Sequence, residues 1–158
     1  MPGVTKKNAT ITSVSVGDVY GFVVGVDTHA ASHSYAIVVA RTGALVDEQT
    51  FPTKPAGLAR ACDWIARRTD GEVSGVLVSA EGTGSYGAPL AEELAKVGYR
   101  VEAPTPRRER GRGKTDVMDA VTAARGTLSM PVTRLRDRRG AGQSSQDQVA
   151  LQVLTTSP

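Results

Sequence analysis

Tyr20-Gly-Phe-Val-Val-Gly-Val-Asp27-Thr-His29 is the stretch on which the reading of the fold turns. Residues 20–26 are almost wholly apolar and β-branched, and too short for a buried helix, so they predict a central strand buried on both faces. The run stops at a carboxylate. An acid at the tip of a buried strand costs desolvation unless a cation or hydrogen-bond donors meet it. Asp27 is therefore the first candidate site residue, for a metal or a phosphate-handling role.

Working outward, residues 34–40 and 45–51 read as two more strands, and Arg41-Thr-Gly43-Ala44 between them reads as a hairpin turn. Three short strands on short connections predict an antiparallel meander. Residues 55–68 predict a helix, with Pro55 in its first turn and Leu58, Ala61, Cys62 and Ile65 on one stripe. Trp64 is expected at the edge of that stripe, and Cys62 is expected in the core, not as a nucleophile. Residues 73–80 predict another buried strand, and it too ends in an acid, Glu81, followed by Gly-Thr-Gly-Ser. Ligands collect at the carboxyl ends of strands in open sheets. Ser85 in this turn reads as a turn or capping residue. Residues 86–97 predict a second helix stopped by Gly98, and residues 99–103 a fifth strand.

The second acidic signal lies in Gly113-Lys-Thr-Asp116-Val-Met-Asp119-Ala-Val-Thr-Ala-Ala-Arg125, which predicts a helix running to about residue 128, with Pro131 beyond it. Asp116 and Asp119 are three residues apart and share a helix face. Taken alone, they are well explained as acids that complement the helix dipole. Gly113-Lys114-Thr115 resembles the end of a phosphate-binding P-loop. The glycine such a loop needs at position 108 is Arg, and no strand immediately precedes, so that reading is rejected.

Composition narrows the class. The 158 residues suit one domain with a real core. Aromatics make up 4%, so stacking is not the main mode of contact with bases. A single cysteine excludes an intramolecular disulfide and a cysteine-based zinc site. No apolar run reaches the roughly 18–20 residues of a membrane span, and no apolar segment follows Lys6 and Lys7, so the expectation is a cytoplasmic protein without a membrane partner. Residues 100–140 hold 11 of the 19 Lys and Arg but 5 of the 16 acids, a net of +6, against −3 elsewhere. Arg107, Arg108, Arg110, Arg112 and Lys114 stand just before Asp116 and are candidates for binding nucleic-acid phosphates; a solvated basic tail is the alternative.

The predicted order β-β-β-α-β-α-β-α, with acids after strand 1, after strand 4 and on the last helix, is that of a ribonuclease-H-like (RuvC-like) α/β fold: a mixed five-stranded sheet flanked by helices. Such a site would gather Asp27, Glu81, Asp116 and Asp119 around Mg²⁺ or Mn²⁺, hard cations that take oxygen ligands. Two such ions about 3.5–4 Å apart need several carboxylates between them. His29 and His33, four apart but read as lying in a strand-to-strand turn, lack helical zinc spacing and are not assigned as ligands.

Three blocks carry a family resemblance: Val24-Gly-Val-Asp27-Thr-His29, Glu81-Gly-Thr-Gly-Ser-Tyr-Gly87 and Arg112-Gly-Lys-Thr-Asp116-Val-Met-Asp119-Ala120. In order and spacing they resemble the DEDD transposases of bacterial insertion sequences, which are related to the Piv-type DNA invertases. The resemblance spans about residues 20–130 and implies a RuvC-like catalytic domain there, with 1–19 as an arm and 131–158 as a linker into a further region. It implies the tetrad Asp27, Glu81, Asp116 and Asp119 as metal-binding and catalytic residues, DNA as substrate, and a homo-oligomer. In some members it also implies a structured guide RNA. The family commonly carries a lysine where Ala30 stands, and its serine-bearing C-terminal domain has no counterpart in these residues, so the chain is expected to be a truncated form. A non-catalytic nucleic-acid-binding or oligomerising remnant and a Holliday-junction nuclease remain as alternative readings. An actin-like phosphotransferase would need a longer chain.

Overall fold

The computed structural model describes residues 14–102 and 116–135, with side chains in the second stretch from Ala120 onward. Five strands form one sheet: β1 (Phe22–Thr28), β2 (Ser32–Val39), β3 (Leu45–Pro52), β4 (Val76–Ala80) and β5 (Arg100–Glu102). Their order is β3-β2-β1-β4-β5. β1 pairs antiparallel with β2 and β2 with β3, while β4 lies parallel to β1 and β5 parallel to β4. This is the ribonuclease-H-like arrangement expected from the order of elements.

Alternation along the central strands divides the core in two. Val24, Val26, Val76, Val78 and Ala80 face one side, where α1 (Pro55–Arg68) and α2 (Ala88–Val97) cover them with Leu58, Trp64, Ile65, Leu90 and Leu94. Val23 and Leu77 face the other side, under α3 (Asp116–Thr127). β1 is therefore buried on both faces, which is why its sequence shows no polar alternation.

Gly25 sets how close α3 comes. A Cβ there would run into the carbonyl oxygen of Ala120 and lie 2.5 Å from Ala124 N. Helix backbone thus rests directly on strand backbone. The far end of α3 is pinned to the β2–β3 turn, where Arg125 Nε donates to Gly43 O at 2.9 Å. The Thr127 hydroxyl bonds Ser79 Oγ at 3.0 Å beneath it, in a buried pair. These contacts fix the C-terminal half of α3 over β1 and β4 and beside the β2–β3 turn.

Several expectations shift in detail. β1 continues through Asp27 and Thr28, and β4 begins only at Val76, because Val73–Gly75 form a 3-10 turn. His33 lies in β2 and is fully buried, not in a turn. Trp64 is core and not edge: it is 2% exposed, packs edge-on against Tyr35 and Phe51, and donates its indole N–H to Asp47 at 3.0 Å. Residues on either side of the 20–130 span also pack on it. The short helical turn Val16–Val19 buries Val16 against Leu135 and its neighbours, and Val16 and Gly17 donate backbone hydrogen bonds to Met130 and Leu128. Residues 14–19 and 131–135 thereby complete the α3 layer.

Candidate functional site

The site is built at the carboxyl end of β1. Between β1 and β4 the ladder closes with Val26 opposite Ala80. On its other edge β1 runs two residues further, pairing Asp27 with Ser34 and Thr28 with His33. Asp27 and Glu81 are thus the next residues on two neighbouring parallel strands. The side chain that follows Asp27 ties the two ends together, since Thr28 Oγ1 donates to Glu81 O at 3.1 Å. Alternation puts Asp27 on the face of Val23 and Gly25, the face covered by α3.

The turn after Glu81 is drawn tightly over Thr28. Gly82 has φ +71, and a Cβ there would fall 2.8 Å from Thr28 Oγ1. A positive φ and that close approach both demand glycine. Gly82 O accepts the N–H groups of Ser85 at 2.9 Å and Gly87 at 2.8 Å. The Ser85 hydroxyl donates to the same oxygen at 3.3 Å, which makes Ser85 a turn residue as expected.

Asp27 is partly exposed, and His29 Nε2 stands 3.0 Å from its Oδ2. Sequence reasoning weighed His29 only as a metal ligand and missed this pairing. The signal was present, because residues two apart along an extended chain share a face. His33 is buried, and burial, followed by the charge on His29, pushes its pKa down from the ordinary 6.5. Burial likewise raises the Cys62 thiol to about 11, with Glu93 and Asp63 adding to the effect, so it is a poor nucleophile near neutrality.

Asp116 and Asp119 occupy the first turn of α3. They stand four residues and one residue before Ala120, whose carbonyl lies against Gly25 of the strand that ends in Asp27 and Thr28. The side chains of Asp116 and Asp119, and all of Arg107, Arg108, Arg110, Arg112 and Lys114, lie outside the described residues. Among the described residues, no group of three or more His, Cys, Asp or Glu side chains is placed to hold a metal ion. Also among the described residues, no helix is long and apolar enough to cross a membrane.

A family model described as transposase, of the DEDD type, matches residues 24–157. No curated protein matches the chain. Among solved structures, the chain is similar to T. thermophilus RuvC in complex with a Holliday junction substrate. That match has a TM-score of 0.47 and 15% identity, and covers 70% of this chain and 92% of that one. A second Thermus thermophilus RuvC structure matches with a TM-score of 0.45 and 16% identity, over 68% of this chain and 91% of that one.

Proposed function

Because this chain belongs to the DEDD transposase family, whose model matches it from residue 24 to residue 157, we propose that it acts on DNA phosphodiesters, as the catalytic domain of an insertion-sequence transposase. Asp27, Glu81, Asp116 and Asp119 are the proposed tetrad. The observation that supports this reading is that β1 and β4 end side by side, bearing Asp27 and Glu81, and that α3, which begins with Asp116 and Asp119 in its first turn, docks on Gly25 of β1.

The residues present fit a hard divalent cation. The strand ends offer carboxylate oxygens, Asp27 is accessible, and neither cysteine nor a histidine cluster competes for a softer metal. Mg²⁺ or Mn²⁺ held by the four carboxylates would supply the activated oxygen nucleophile and the charge stabilisation that phosphodiester cleavage needs. The chain's own contribution is to hold and orient. Asp27 is placed by β1, Glu81 by the glycine turn over Thr28, and the helix that begins with Asp116 and Asp119 by its docking on Gly25. Arg107, Arg108, Arg110, Arg112 and Lys114 immediately precede the tetrad's last two members and would hold backbone phosphates. The same segment would suit a structured guide RNA, and assembly into a homo-oligomer belongs to this reading.

Strand cleavage tests the proposal. End-labelled duplex and four-way-junction DNA are incubated with Mg²⁺ or Mn²⁺, using the chain and its Asp27→Asn variant. Metal-dependent nicking that falls at least about a hundredfold in Asp27→Asn is expected, as for loss of a group acting on transition-state charge. Nucleic-acid binding without nicking, unaltered by Asp27→Asn, would instead identify a non-catalytic binding domain.

A further inference from the structure

The turn between β1 and β2 carries a device that the tetrad does not use. His29 Nε2 lies 3.0 Å from Asp27 Oδ2, with the imidazole 48% exposed and the carboxylate 21%. The backbone that carries the ring is held from behind. The backbone N–H of His29 donates to Nδ1 of His33 at 3.2 Å. Next along the turn, the Thr53 hydroxyl lies 2.9 Å from Ala30 O, and the Thr53 N–H donates to Ala31 O at 3.0 Å. The turn is thus fastened at the residue that meets Asp27 and at the two that follow it.

His33 is kept there at a cost. Its Nδ1 accepts a hydrogen bond, so in the neutral ring the proton sits on Nε2. That nitrogen is buried and has no hydrogen-bond partner among the described residues. Native proteins rarely leave a buried polar group unpaired, and one that persists calls for an explanation. Holding the His29 backbone, and through it the ring at Asp27, supplies one.

We propose that His29 is a positioning residue for Asp27, orienting its carboxylate for a divalent cation, and that buried His33 fixes His29 through the backbone. This rests on the metal-dependent reading above. Carboxylates that hold metals are commonly oriented by such outer hydrogen bonds, whose loss typically weakens metal affinity 10–100-fold.

The test is Mn²⁺ binding by calorimetry, with melting temperature recorded alongside, on the unaltered chain, Asp27→Asn, His29→Ala and His29→Gln. Glutamine can place an amide N–H near the position of the imidazole Nε2. His29→Ala is expected to weaken Mn²⁺ binding about tenfold or more with the melting temperature unchanged, and His29→Gln to recover most of it. In metal-free protein, the Asp27 carboxyl ¹³C resonance should move in His29→Ala and return towards its original place in His29→Gln. Undiminished Mn²⁺ affinity in His29→Ala would overturn the positioning role while leaving the metal site standing. So would a loss that His29→Gln does not repair. Mn²⁺ binding no tighter in the unaltered chain than in Asp27→Asn would overturn the metal site itself, and this role with it.

Discussion

Asp27 and His33 show what a single position can and cannot reveal. Asp27 was legible because an apolar β-branched run that ends in an acid has few cheap explanations. His33 was not legible. A histidine surrounded by Ser32 and Ser34 carries no periodic signal for burial, and only the cross-strand register, His33 opposite Thr28 and Phe51, takes it out of water. Its burial has a measurable consequence. The folded pKa lies below 6.5, so the unfolded chain takes up a proton that the native protein resists. The stability linked to this residue is therefore whole above about pH 6.5 and declines as pH falls below that value towards the folded pKa. Urea unfolding between pH 7.5 and 5.5 should show stability falling with acid, and His33→Gln should flatten the slope. An identical slope in the variant would mean that His33 does not titrate in this window. Trp64 makes the same point about neighbours. Its place in the core depends on Asp47, a residue of the edge strand β3 that accepts the indole N–H and is held ionised chiefly by Arg68 and also by Trp64.

At the level of elements, α3 is the piece whose docking the proposed tetrad depends on. Its sequence predicted a helix, and its start with two aspartates was readable, but how it docks was not. Docking depends on Gly25, which looked like one more small residue in a strand until its Cβ position proved to be occupied by the Ala120 carbonyl. Gly25→Ala should therefore be severe for a single methyl. Overpacking a tight core contact typically costs about 1–3 kcal/mol, and here the obstacle is backbone, which cannot rotate aside. Denaturant unfolding should show a loss in or above that range. Because α3 carries Asp116 and Asp119, any metal binding should weaken even where the sheet survives. A neutral Gly25→Ala would contradict the close backbone contact. Gly71, whose Cβ would meet nothing within 4 Å, shows how uneven glycines are in this chain, although its φ of +71 still disfavours a side chain. The elements that pack on apolar stripes, α1 and α2, were legible almost to the residue, because period alone places them.

Over the whole molecule, strand order and direction followed from the sequence of element types, since a meander followed by two strand–helix crossovers leaves few unknotted sheets. Contacts between distant parts of the chain did not follow. The packing of residues 14–19 on residues 128–135 rests on Val16, Leu135 and a few backbone hydrogen bonds, and no local pattern announces it. The proposed tetrad also belongs to this scale: Asp27, Glu81, Asp116 and Asp119, spread over most of the chain, would have to act as one cation site. Calorimetric titration of Mn²⁺ into the chain and into Asp27→Asn and Asp119→Asn, each with and without a short DNA duplex, tests it most directly. Saturable binding is expected in the unaltered protein, and either single substitution should abolish it or weaken it at least about tenfold if carboxylates on β1 and on α3 share the ion. Saturable binding that survives both substitutions, or no binding with or without DNA, would contradict it.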